Sequence, residues 1–143
     1  MVSLLDVNFL VAIFHSRHAH HEAAHQWFDA NATEGWATCP VTISGAIRVL
    51  SNHGVGLPDA RPAEVARRLR IFCQHPNHEF WSEGISLLDA DLFELDFQQG
   101  YQQTTDIYLL GLAVGYEARL VTFDARLSMR PVKDAVEFNL LRL

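Results

Sequence analysis

The sequence predicts an α/β fold built on a mostly parallel sheet, and three observations carry this. Short apolar runs alternate with longer segments of helical periodicity, the pattern of successive βαβ units. Two of the apolar runs, residues 2–5 and 119–123, end in an aspartate, Asp6 and Asp124. The helical segment that opens at Thr104-Thr105-Asp106 runs directly into the second of these runs.

At 143 residues, the chain is expected to form a single domain over 1–143 with a substantial core. Its 49% hydrophobic and 20% charged residues are ordinary for a soluble globular protein. No apolar run reaches membrane-spanning length and no secretory leader is evident, so a cytoplasmic location is expected. Cys39 and Cys73 fit reduced core thiols, since two cysteines make neither a disulfide framework nor a zinc site. The net charge of −6 argues against nucleic-acid binding through bulk positive charge. It leaves room for an acidic metal site, where a bound cation reverses the local field.

Taken in order, residues 2–5 form a short buried strand, and a buried helix begins at Asn8. Residues 20–30 read as an amphipathic helix with Ala23, Ala24, Trp27 and Phe28 on one face. His21 and His25 share a turn of it, a spacing that can bind zinc but supplies only two ligands. A strand over 36–39 stops at Pro40, and Thr42 is the expected N-cap of a helix reaching Leu50. That helix carries Ile43, Ala46, Ile47 and Leu50 at core spacing, together with Arg48. Residues 51–59 read as a loop. Pro62 opens the next helix, with Val65, Ala66, Leu69, Phe72 and Cys73 as its apolar stripe. Arg61, Arg67, Arg68 and Arg70 make it the most basic stretch, read either as a phosphate- or partner-binding face or as a solvated one. Residues 75–78 break the helix, 80–81 form an edge strand, and 86–88 and 91–97 are ambiguous. A deeply buried helix runs from Thr104 or Thr105 to about Glu117. Strands over 119–123 and 136–140 complete the pattern.

The topology brings three carboxylates to one edge. Parallel strands ending at Asp6 and Asp124 release both residues at the carboxyl edge of the sheet, where open α/β sheets place their sites. A helix feeding the second strand must start at that edge, and its first turn carries Asp106. Clustered carboxylates raise one another's pKa unless a cation lies between them. Oxygen ligands with room for water suit Mg²⁺ or Mn²⁺, which polarise phosphoryl oxygens and activate water. Asn8 and Thr122 stand where they can orient those ligands. Each aspartate alone is as well explained as a helix cap or a first-turn acid; the joint pattern is what points to chemistry.

Leu4-Leu5-Asp6-Val7-Asn8, Thr104-Thr105-Asp106-Ile107-Tyr108-Leu109-Leu110 and Leu120-Val121-Thr122-Phe123-Asp124 resemble three motifs of the PIN-domain ribonucleases. More narrowly, they resemble the VapC toxins of bacterial type II toxin–antitoxin pairs. His20-His21-Glu22-Ala23-Ala24 before Trp27, and Trp36-Ala37-Thr38-Cys39-Pro40, are similar to one VapC subgroup. The resemblance implies a PIN-like fold with a five-stranded parallel sheet between helices. It implies a Mg²⁺- or Mn²⁺-dependent endoribonuclease acting on tRNA or ribosomal RNA through metal-activated water, leaving a 5′-phosphate and a 3′-hydroxyl. Asp6 and Asp106 would be the main metal ligands, with Asp124 direct or through water. A homodimer and a cognate VapB-type antitoxin, whose C-terminal tail covers the acidic pocket, are also implied. The family usually carries a further carboxylate or amide early in the helix after the second strand; Ile43 stands there, which leaves open one metal or two and full or weakened activity.

Two other readings compete. One is a catalytically weakened PIN domain that binds RNA or a protein partner without cutting; in either case Arg48, Arg61, Arg67, Arg68 and Arg70 are the candidate contacts to RNA or antitoxin. The other is a metal-dependent phosphoesterase of a different fold, acting on small phosphate esters.

Overall fold

The computed structural model describes residues 1–52, 60–82 and 84–143. Among them, five strands form one all-parallel sheet: β1 (Ser3–Leu5), β2 (Trp36–Thr38), β3 (His78–Phe80), β4 (Arg119–Thr122) and β5 (Leu140–Arg142), in the order β3-β2-β1-β4-β5. The helices are α1 (Val7–Phe14), α2 (His21–Asn31), α3 (Pro40–Leu50), α4 (Pro62–Phe72) and α5 (Thr104–Gly115). The α/β expectation and the parallel five-stranded sheet both hold.

Alternation along the strands builds two cores. Leu4, Ala37 and Leu120 face one side with the α5 residues Ile107, Leu109, Leu110 and Ala113. Leu5, Trp36 and Val121 face the other with Phe9, Leu10, Ala24, Ala46, Leu50, Val65 and Leu69 from the first four helices. Successive strand side chains point to opposite faces. Both faces are therefore covered, as parallel sheets require.

Several boundaries differ from the sequence reading. α1 begins at Val7, directly after Asp6. α3 begins at Pro40, not after Thr42, because proline suits the first helical position. Thr42 instead lies buried in the first turn, where its hydroxyl accepts from the Cys39 N–H at 2.9 Å and donates to the Cys39 carbonyl at 3.1 Å. Ala23 of α2 is exposed; Ala24 is the buried residue of that face. Neither Thr104 nor Thr105 caps α5, because a 3₁₀ turn over Tyr101–Gln103 leads straight into it. The edge strand β3 ends at Phe80, and Trp81 leaves it to stack on Tyr116 at 4.0 Å. The last strand starts at Leu140. A 3₁₀ turn over Glu137–Asn139 precedes it, where buried Asn139 accepts from the Val136 N–H and donates to the Ala118 carbonyl. Residues 91–97 hold a bridge at Phe93 and a 3₁₀ turn over Leu95–Phe97. Most of the loop expected over 51–59 lies outside the described residues. Cys39 and Cys73 are free thiols, buried and half-buried.

α1 and α3 lie against each other because residue 45 has no side chain. A β-carbon at Gly45 would fall 2.6 Å from Val7 Cγ2. Alanine is favoured over glycine inside a helix by about 1 kcal/mol, whereas overpacking costs about 1–3 kcal/mol. Val7 is β-branched and turns aside poorly, so overpacking outweighs propensity. Gly45→Ala is expected to lose about 1 kcal/mol in urea unfolding; an equal or higher midpoint would show that the two helices separate freely.

Candidate active site

Asp6 is the first residue beyond β1 and the N-cap of α1. It is 1% exposed, and both its oxygens are engaged. Oδ1 accepts from the Val7 N–H at 2.6 Å, and Oδ2 accepts from the Thr122 hydroxyl at 2.6 Å. Thr122 ends β4, the strand paired with β1, and is fully buried. Its Oγ1 also accepts from Asn8 Nδ2 at 3.0 Å and from the Asp124 N–H at 3.0 Å. Asn8 Oδ1 accepts from the Phe123 N–H at 3.2 Å. One hydroxyl thus ties the end of β1, the first turn of α1 and the turn after β4 together.

Asp6, Asn8 and Asp106 line one cleft of about 410 Å³ with Val7, Val11, His18, Arg48, Val49, Gln102 and Thr105. Asp124 lines the adjoining groove with Gln99, Gln102, Gln103 and Arg126, and Gln102 belongs to both walls. Asp124 is turned by its own side chain, whose Oδ1 accepts from the Arg126 N–H at 2.9 Å.

The carboxyls interact electrostatically. Burial, with the charges of Asp6 and then Asp124 adding to it, pushes the Asp106 carboxyl up to about 7. Its oxygens have no hydrogen-bond partner among the described residues. Burial also raises Asp6; hydrogen bonds from Thr122 and the Val7 N–H oppose this, and the Asp124 charge adds to it. Clustered carboxyls of this kind call for a cation between them. Among the described residues, no three His, Cys, Asp or Glu side chains form a ready-made metal cage. Mg²⁺ does not need one, because it is commonly held by one or two carboxylates and completed by water. The donor set is all oxygen, and each Asp6 oxygen keeps a second lone pair. Asp6 and Asp106 could hold such an ion, with Asp124 reaching it through water.

One expectation for this region is corrected. Ile43 does not face the acidic cleft. It lines a separate groove with Thr38, Ile47, Arg70, Cys73, His78 and Phe80, while Arg48 and Val49 are the α3 residues in the cleft. The register of α3 decides this: 43 and 47 share one side, and 44 and 48 the other. His21 and His25 reach back to α1. Each ring approaches a carbonyl in the last turn of α1, His21 Nδ1 to Ala12 at 2.7 Å and His25 Nε2 to Ile13 at 2.8 Å, satisfying acceptors that a helix end leaves open.

The arginines divide. Arg48 lines the cleft and has no ion pair among the described residues. Arg67 and Arg68 both pair with Glu64, at 2.8 and 3.2 Å, and hydrogen bonds from Arg67 and Arg68 hold the Glu64 carboxyl well below its ordinary range. Arg61 and Arg70 are exposed. Neither Arg61 at the cap of α4 nor the three arginines on α4 line the acidic cleft. The sequence assigned no role to His18, within the histidine cluster of residues 15–25, or to Gln102. Both sit in turns between helices, where no periodicity marks them.

Linkage fixes the pH dependence of the metal-free protein. Asp106 binds its proton more tightly folded than unfolded, so its unfavourable contribution is absent below about 4. It grows as pH rises from the ordinary 3.8 and is complete above about 7. Asp106→Asn should therefore raise the melting temperature of the metal-free protein at pH 8 and leave it little changed near pH 4. A fall at pH 8 would show that the carboxylate is already compensated.

The PIN domain family model matches residues 3–132. Ribonuclease VapC38 of Mycobacterium tuberculosis is 46% identical over 125 residues, covering 87% of this chain and 86% of that protein. Ribonuclease VapC39 of the same organism is 38% identical over 128 residues, covering 90% and 92%. Ribonuclease VapC44 is 35% identical over 146 aligned residues, covering 100% of both. The chain accordingly belongs to the PIN-domain family, among the VapC proteins.

Proposed function

We propose that this chain is a Mg²⁺- or Mn²⁺-dependent endoribonuclease, the toxin of a toxin–antitoxin pair, with tRNA or ribosomal RNA as substrate. The observation that carries the reading is the meeting of Asp6 and Asp106 in one cleft, close enough to Asp124 for all three to interact. Relatives named ribonucleases, similar over most of the chain, support it. In this reading the chain acts as one domain over 1–143. Its partners are a VapB-type antitoxin, whose tail covers the acidic cleft, and a second copy of the chain, all in the cytoplasm.

Asp6 and Asp106 hold the ion, and Asp124 acts on it directly or through water. A divalent cation, when bound, supplies Lewis acidity toward the phosphoryl oxygen and lowers the pKa of water. Thr122 and the Val7 N–H fix both Asp6 oxygens, so the carboxylate presents its free lone pairs in one orientation. Asn8 secures Thr122 in turn. Arg48 offers the cleft a permanent cation for a phosphate. Arg61 and Arg70, lying outside the cleft, serve more distant RNA or the antitoxin.

A second reading is a weakened PIN domain that binds without cutting. It is favoured by one observation: α3 offers the cleft Arg48 and Val49 in place of a carboxylate. The two part on one assay, in which antitoxin-free protein is incubated with total tRNA and with ribosomal RNA. Discrete fragments are expected with Mn²⁺, and none with chelator. Asp6→Asn should cut more slowly by more than the roughly 10–100-fold typical of losing an outer partner of a metal ligand. Intact RNA in both pools from folded protein would overturn the nuclease reading.

A further inference from the structure

The turn between α1 and α2 is fastened beside the acidic cleft. His20 stacks on Phe123 with centroids 4.4 Å apart and planes 7° from parallel, and Phe123 stacks on Phe9 at 5.7 Å and 9°. The His18 N–H donates to the His15 carbonyl at 2.9 Å. His21 and His25 tie the start of α2 to the end of α1. The turn is therefore anchored on α1 and on the residue preceding Asp124.

Within it, His18 lines the cleft that holds Asp6, Asn8, Arg48 and Asp106. His18 Nδ1 accepts the His20 N–H at 3.0 Å. A ring nitrogen that accepts an amide hydrogen carries none of its own, so the neutral ring bears its proton on Nε2. Nε2 has no protein partner among the described residues. Burial, then the neighbouring His20, His15 and His21, lower the His18 pKa below its ordinary 6.5, which leaves the ring uncharged at neutral pH.

We propose that His18 is a substrate-contacting residue whose Nε2–H donates to a phosphate oxygen of an RNA strand lying in the acidic cleft. The proposal rests on the RNA reading above and adds a contact to it. An uncharged donor suits this place: it holds a phosphate without adding positive charge that would repel a cation on Asp6 and Asp106. Arg48, on the same cleft, supplies the charged contact. The two residues thus have separable signatures, because only charged contacts release counterions from nucleic acid.

Two variants separate the Nε2 contact from the Nδ1 contact that shapes the turn. His18→Asn keeps an acceptor for the His20 N–H, as asparagine does in turns, and removes the cleft donor. His18→Gln carries an amide N–H₂ toward the Nε2 position and gives up the turn acceptor. Both are measured on the full chain, free of antitoxin, with total tRNA: cleavage under Mn²⁺, affinity in chelator, and melting temperature. His18→Asn should melt as the wild type does and lose roughly 10–100-fold in kcat/KM and in affinity, the scale of a hydrogen bond to a charged group. His18→Gln should keep most of both. The salt slope of binding should stay unchanged in either variant, while Arg48→Gln flattens it by about 0.7. Wild-type affinity in His18→Asn, or equal losses in the two variants, would overturn the contact. So would a fall in melting temperature that accounts for the loss in His18→Asn. A wild type that binds without cutting would sink the nuclease reading alone, since the affinity loss still decides for His18. A wild type that neither binds nor cuts would sink both.

Discussion

The hydroxyl of Thr122 holds the Asp6 carboxylate 2.6 Å away inside the protein, and the arrangement of the whole cleft follows from that bond. It is available because β1 and β4 are paired neighbours, in register from Ser3 with Arg119 to Leu5 with Val121. The Asp6 N–H continues the pairing to the Val121 carbonyl at 3.1 Å. β2 and β4 flank β1 on opposite sides, so the chain order reverses at β1, which is where open α/β sheets leave a crevice. α1 departs from that crevice toward one core, and α5 approaches its strand from the other. A carboxylate, an amide and a second carboxylate thereby reach one cleft from residues 6, 8 and 106.

The site is electrostatically incomplete as the protein alone supplies it. Hydrogen bonds partly offset the burial of the Asp6 carboxylate, whereas the Asp106 carboxylate has none among the described residues and is driven toward its neutral form. A half-buried carboxylate without a donor is disfavoured in its charged form; an ion that binds only the folded state recovers that cost. The rest of the cleft is consistent with an anionic ligand: Arg48 brings a full charge, and His18 and Gln102 bring neutral donors. The arginines on α4 contribute differently, because a single glutamate already satisfies two of them. The basic stretch that stands out in the sequence is therefore less basic in space than it reads.

Much of this geometry was legible in the sequence, because it depends on strand direction rather than on side-chain detail. Asp6 and Asp124 follow apolar strands and Asp106 opens a helix, so parallel pairing alone sends them to the same edge. Asn8 and Thr122 followed from the same reasoning. What could not be read was rotation and local capping. Ile43 and Ser44 differ by about 100° around α3, and no periodicity told which side would meet the cleft. His21 and His25 have metal-ligand spacing, yet the carbonyls they bind belong to a helix that ends six residues before α2 begins. The final strand was placed too early because Asn139 turns the chain with its buried side chain, a role that composition does not reveal. His18 was missed because it sits in a turn fixed by ring stacking on Phe123, over 100 residues away.

Calorimetric titration of the metal-free protein with Mn²⁺, beside Asp6→Asn, Asp106→Asn and Asp124→Asn, tests the central claim that three carboxylates make one cation site. One ion per chain is expected, with binding lost in the first two variants and weakened by roughly 10–100-fold in the third, as for an outer partner. Unchanged Mn²⁺ affinity in Asp6→Asn or Asp106→Asn would contradict it.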